Sequence, residues 1–177
     1  MQATNVRAEL NVNGGSRRIL LAAKEEETPE HVALRLAAAI LFFDGEPALE
    51  VGPSDPLLAD IGFQPDLLVP DGIGGISVWI ECGNVATNKL VKVARRIKGG
   101  RLVILKESPE AGQRMRETVK AEIRNPDRIE IWAWPREDFS RWSAAMVESN
   151  YVYGEASGSS LNLVLNEAAF ATQLVVC

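Results

Sequence analysis

Residues 76–106 constrain the fold more than any other stretch. Ile76-Ser77-Val78-Trp79-Ile80-Glu81 is rich in β-branched and aromatic residues and predicts a strand. Thr87 to Lys98 then has helical spacing. Leu90, Val93, Ala94 and Ile97 share one side, and Lys89, Lys92 and Arg96 share an adjacent one. Gly99-Gly100 ends that helix, and Leu102-Val103-Ile104-Leu105, inside the strand Arg101 to Lys106, is a short buried-type run. Strand, helix, strand in this order makes the two strands parallel neighbours joined by a right-handed crossover.

The segment before it brings chemistry to the strand end. Pro65-Asp66-Leu67-Leu68-Val69 predicts another strand, and Gly72, Gly74 and Gly75 supply the turn into Ile76. This hairpin brings Asp66 close to Glu81. A buried carboxylate is costly unless it is paired or holds a metal. Two converging carboxylates need a shared proton, a Lys or Arg, or a divalent cation. The plainer reading puts both acids at solvent-facing strand ends, with a structural role only.

Around this centre, Arg7 to Val12 and Arg17 to Ala23 predict two strands joined by Asn13-Gly14-Gly15, residues that tolerate positive φ. Lys24-Glu25-Glu26-Glu27 is a charged connector, expected to be solvated. Thr28-Pro29-Glu30 starts a helix that runs to about Phe43, with Val32, Leu36, Ile40 and Phe43 as its apolar stripe and Arg35 as its one internal charge. Leu49 to Gln64 is loop-like and is placed to act as a lid before Asp66. Ser108-Pro109-Glu110 opens a helix to about Ile123, Arg128 to Trp134 is a strand, and Pro135 starts a shorter helix. Glu148 to Glu155 and Leu161 to Leu165 form a closing hairpin around Ser157-Gly158-Ser159. Ala168 to Cys177 is expected as a loose tail, with Gln173 to Val176 able to add a short strand. The whole, 1–177, reads as one α/β domain, a mixed β-sheet with helices packed against it.

Composition narrows the chemistry. His31 is the only histidine, and Cys82 and Cys177 are the only cysteines. That leaves no zinc pattern or disulfide framework, and a Ser-His-Asp triad would rest on one histidine at a helix start. A metal here would be a hard cation on carboxylate oxygens. The net charge of -5 argues against a protein that coats nucleic acid. No apolar run is long enough to span a bilayer and no signal-peptide pattern appears, so no membrane partner and a cytoplasmic location are expected.

Pro65-Asp66, then Ile80-Glu81-Cys82-Gly83, then a Lys-bearing helix resembles the PD-(D/E)xK nuclease-like core. The wider order runs Ala8-Glu9-Leu10-Asn11, Glu27-Thr28-Pro29-Glu30-His31 leading to Leu34-Arg35-Leu36-Ala37, Pro65-Asp66-Leu67, Trp79-Ile80-Glu81-Cys82-Gly83 and Ile131-Trp132. Together these pieces resemble the YaeQ family of bacterial proteins. The resemblance implies a restriction-endonuclease-like core of YaeQ type. It implies Asp66 and Glu81 as ligands of Mg²⁺ or Mn²⁺, with Glu30 a further ligand candidate and Arg35 at a basic position of the first helix. The general motif places a lysine two residues after the second acid, where Gly83 stands. Lys92 is the first choice to supply that charge from the next helix, and Lys89 the second. Two functions follow: a metal-dependent phosphodiesterase acting on nucleic acid, or a non-catalytic relative of the nuclease fold that binds a protein or nucleic-acid partner. Each candidate also has a plainer role: Glu30 as a helix-dipole acid, Lys89 and Lys92 as the solvated edge of a helix, Arg35 as the partner of Glu30 or another acid, and Asn84 as a turn residue. The four tryptophans are expected to pack in the core.

Overall fold

The computed structural model describes residues 3–177. Its centre is α1 (Pro29–Leu41), in which every residue from Val32 to Leu41 is buried. A helix that is apolar nearly all round must be covered on all sides, and here two sheets do the covering. Helix α1 touches β1 (Val6–Val12), β2 (Gly15–Leu21) and β7 (Ser149–Ser157) of one sheet. It also touches β3 (Leu67–Pro70), β4 (Ile76–Cys82) and β5 (Arg101–Lys106) of the other. Thr28 caps the helix by accepting from the His31 amide at 3.2 Å.

The first sheet has the order β2-β1-β7-β8-β9, where β8 is Ser160–Leu165 and β9 is Ala168–Gln173. Strands β1 and β7 are parallel and the other pairs antiparallel. The β1–β2 turn has Asn13 at φ 54 and Gly14 at φ 79, as the Asn-Gly-Gly signal predicts. Every second residue of β7 from Asn150 to Val152 faces inward while Tyr151 and Tyr153 face solvent, so one face of this sheet is the core face.

The second sheet has the order β10-β6-β5-β4-β3, with β6 at Ile129–Ala133 and β10 at Val175–Val176. Strands β4, β5 and β6 are parallel, as the strand–helix–strand reading requires. The crossover helix α2 is Thr87–Arg96, and α3 (Pro109–Glu122) follows β5. Both pack on the face away from α1, where Trp79, Leu90, Val93, Ile104, Val119 and Ile131 form a second core. Strands β4 and β5 are therefore buried on both faces, which accounts for their continuous apolar runs. Helix α4 (Arg136–Ala145) joins the first core: the Trp142 Nε1–H donates to Ala33 O at 3.0 Å, and Trp142 meets Phe170 edge-on with ring centroids 5.2 Å apart.

Three expectations change. The strands divide between two sheets instead of one, because α1 needs apolar cover on both sides. Ala168 to Gln173 is not a loose tail but a six-residue strand paired to β8, and Val175–Val176 pairs with β6 at the far edge of the other sheet. The segment Leu49 to Gln64 is anchored, not a free lid. Leu58 and Ile61 are buried in the second core, and Ala48 bridges to Leu68.

Gly154 in β7 is held at φ 149, where a Cβ would fall 2.5 Å from the Cα of Leu163 on the neighbouring strand. Gly154→Ala is expected to lower unfolding free energy by about 1–3 kcal/mol, measured by urea denaturation. An unchanged midpoint would show that β8 can yield.

Candidate acidic site

Asp66 ends the antiparallel pairing of β3 with β4. Leu67 pairs with Ile80, so the next place in the register sets Asp66 opposite Glu81. The Asp66 amide still donates to Ile80 O at 3.1 Å. Beyond that point β3 has no carbonyl to offer, and the Asp66 side chain takes over: its Oδ2 accepts from the Cys82 amide at 2.8 Å. The carboxylate thus acts as the last acceptor of the ladder.

The two acids turn to different partners. Asp66 Oδ2 also receives His31 Nε2 at 3.2 Å, and Oδ1 meets Lys24 Nζ at 3.4 Å. Glu81, two residues after Trp79 on the same strand, accepts from Trp79 Nε1 at 2.7 Å and from Lys89 Nζ at 2.7 Å, both on Oε1. Lys89 also donates to Gln64 O at 2.7 Å. Of the two candidate lysines, Lys89 is the one brought to Glu81. Lys92 lies one turn further along α2, over the Phe63 ring at 5.4 Å. The chain reverses directly after β4, so the first turn of α2 is the part that reaches back.

Behind Asp66 lies a network that sequence reading missed. Glu27, expected to be solvated, is buried, with its side chain 1% exposed. Its Oε1 receives His31 Nδ1 at 2.7 Å and Arg35 Nη1 at 3.0 Å, and its Oε2 accepts from the Lys24 amide at 2.8 Å. Arg35 is fully buried and also donates to Glu50 Oε1 at 2.8 Å and Ala22 O at 3.1 Å. A single internal arginine on an otherwise apolar helix was the available signal: such a cation must find buried carboxylates. Glu27 lies eight residues before it, at a spacing no helix rule links, because the connector folds back over the helix end.

Glu30 is exposed and borders a cavity of about 440 Å³ with His31, Cys82, Gly83, Asn84 and Glu107. The cavity opens beyond the C-terminal ends of the parallel strands β4 and β5, where open α/β sheets bind ligands. Lys106 at the end of β5 is buried and donates to Gly83 O at 2.9 Å and Asn84 Oδ1 at 3.3 Å. Among the described residues, no three His, Cys, Asp or Glu side chains gather as ligands of one ion.

The environments push the two facing carboxyls apart. Burial opposes ionisation of Asp66, but His31, the Cys82 amide and Lys24 outweigh it and hold the group well below the usual carboxylate range. For Glu81, burial dominates: Lys89 pulls the pKa down, the Asp66 charge pushes it up, and the result is raised to about 7. Glu27 is lowered to about 2, burial being overcome by His31, the Lys24 amide and Arg35. Burial works against a charged His31, yet its bonds to Asp66 and Glu27 raise it to about 9. The Cys82 thiol, fully enclosed, is pushed up and is inert as a nucleophile at neutral pH.

An α/β protein with an acid–acid–lysine cluster at the end of a mixed sheet is the class that fold and site define. The YaeQ protein family model matches residues 2–169, and the chain belongs to that family. The YaeQ protein from Pseudomonas syringae superposes with a TM-score of 0.76 at 22% identity, covering 98% of this chain and 95% of that one. The YaeQ protein from Xanthomonas axonopodis pv. citri gives 0.74 at 20% identity, covering 98% and 97%. At such identity these two structures speak for the fold alone. No curated protein matches the chain.

Two predictions follow from the network. Arg35→Met is expected to cost about 3–5 kcal/mol, because it removes the fully buried cation of the pair and leaves Glu27 with His31 and the Lys24 amide. The double change with Glu27→Leu should cost less than the sum of the single changes, as chemical denaturation of the cycle will show. In pH dependence, His31 has a raised pKa, so its stabilisation is complete below about pH 6.5 and is lost as pH rises through about 9. Glu81 is a raised carboxyl, so ionising it costs stability as pH rises from 4.5 through about 7. Melting curves across pH should therefore lose the alkaline decline in His31→Gln and the decline between pH 4.5 and 7 in Glu81→Gln. Parallel profiles for all three chains would refute the assignment.

Proposed function

We propose that Asp66, Glu81 and Lys89 form the site of a metal-dependent phosphodiesterase acting on nucleic acid. The observation that carries this reading is the placement of two carboxylates at facing positions of one antiparallel pair, with a lysine amine 2.7 Å from the second. The donor set suits a hard cation that keeps much of its hydration. Mg²⁺ takes one or two carboxylates and leaves its other positions to water and substrate phosphates, so two acids are enough. Mn²⁺ accepts the same oxygen ligands. Glu81 offers Oε2, since Trp79 and Lys89 both meet Oε1. Asp66 offers Oδ1, which among the described residues is met by Lys24 alone, at 3.4 Å, a side chain 44% exposed. A divalent cation bound there would neutralise phosphoryl oxygens and acidify the attacking water. Lys89, 2.7 Å from Glu81, would supply the positive charge beside the phosphate that the general motif gives to a lysine at the place of Gly83. Lys92, on the Phe63 ring, is a candidate for contact with the nucleic-acid backbone further along the same helix. Glu30 borders a cavity that neither Asp66 nor Glu81 lines, so the proposed ion site does not include it.

One observation favours a second reading. Both carboxylates already have cations of the chain itself, Lys24 and His31 on one and Lys89 on the other. A nuclease-fold protein that has lost hydrolysis and only binds a protein or nucleic-acid partner would keep such pairs permanently.

Metal titration separates the two. Under the phosphodiesterase reading, Mn²⁺ at about 100 times its Kd stabilises by about 2.7 kcal/mol, which raises Tm by roughly 5–10 °C for a chain of this size. Asp66→Asn and Glu81→Gln should each abolish the rise and the cleavage of labelled single-stranded, duplex or RNA substrate. A natural chain whose Tm ignores Mn²⁺ and Mg²⁺, and which cleaves nothing, would leave only the binding reading.

A further inference from the structure

The ring of His31 lies between two carboxylates. Nδ1 is 2.7 Å from Glu27 Oε1 and Nε2 is 3.2 Å from Asp66 Oδ2. Ionised carboxylates only accept hydrogen bonds, and a neutral imidazole has one donor. The bridge is therefore satisfied at both ends only when each ring nitrogen donates, to Glu27 on one side and Asp66 on the other. The far end of the bridge is rigid: Glu27 is held by buried Arg35 and by the Lys24 amide. The near end is not symmetrical between the oxygens of Asp66. Oδ2 carries both His31 and the Cys82 amide, whereas among the described residues Oδ1 meets the half-exposed amine of Lys24 alone.

We infer that His31 is a positioning residue: backed by Glu27, it occupies Asp66 Oδ2 and leaves Oδ1 as the single oxygen that Asp66 presents to a cation or substrate. What Oδ1 receives rests on the function proposed above; the orientation of the carboxylate does not. The device explains why a histidine stands in the first turn of α1 with its ring over the strand end, while the neighbouring Glu30 faces solvent. It also restricts Asp66 to one-oxygen coordination, since chelation through both oxygens would require breaking the imidazolium bond.

The test begins without metal. The Cys82 amide, whose acceptor is the positioned Oδ2, should exchange with solvent slowly. In His31→Ala that exchange should accelerate by about tenfold or more relative to the other β4 amides. His31→Arg, which keeps a cation with donors in two directions, should restore it. Cys82 exchange that rises no more than that of the rest of β4 in His31→Ala would overturn the inference. The second arm uses Mn²⁺ alone. With the imidazolium gone and Oδ2 free, His31→Ala should bind Mn²⁺ several-fold more tightly by calorimetry while any Mn²⁺-dependent cleavage falls, a split that plain unfolding of the site does not produce. Affinity and cleavage falling together would count against positioning. A natural chain that binds no Mn²⁺ would sink the phosphodiesterase reading and leave the inference to be decided by the exchange result.

Discussion

A guanidinium with no exposed surface, enclosed between two sheets, is the constraint on which the site depends. Arg35 cannot shed its proton, so it must be met by charge where it lies. Glu27 and Glu50 meet it, and each comes from a segment that enters or leaves the helix region irregularly. The alternation then continues outward: Glu50, Arg35, Glu27, His31, Asp66. Each group neutralises the one before it and needs the one after it. In this way a requirement inside α1 is passed to the strand end where Asp66 replaces the missing carbonyls of β3. The connector before α1, the helix and the hairpin are tied by charge as well as by apolar contact.

The same chain of neutralisation explains why two facing carboxylates behave differently. Asp66 collects an imidazolium, a backbone amide and a lysine, so its charge is stabilised despite burial. Glu81 is more deeply enclosed, has one lysine and one indole, and lies in the field of Asp66. Neighbouring titratable groups with opposite shifts are a recurrent basis for dividing acid and base roles. Here they come from one register position, because the side chains leave the ladder toward different elements: Asp66 to α1 and Glu81 to α2.

Much of the framework was legible because it is local. The Asn-Gly-Gly turn, the two Pro-containing helix starts with Thr28 and Ser108 as caps, and the parallel β4–α2–β5 unit all follow from adjacent residues. The pairing of Asp66 with Glu81 followed too, since a hairpin register needs only its own two strands. The choice between Lys89 and Lys92 did not. Both lie on the same flank of an amphipathic helix, and which one reaches Glu81 depends on how α2 leaves the sheet. The burial of Glu27 was hidden as well: it sits in a run of charges, and composition there points outward.

The amino-acid order by itself determined the elements and their local chemistry: where helices start, where strands end, and that one acid would follow another across a hairpin. Short-range sterics, capping and side-chain periodicity act within a few residues and need no partner from elsewhere. Only the tertiary structure decided that two sheets, not one, enclose α1, that residues 168–173 complete a strand order, and that Glu27 and His31 stand behind Asp66. Those outcomes depend on which surfaces are removed from water together, and a buried charge takes its partner from whatever segment the packing brings within reach.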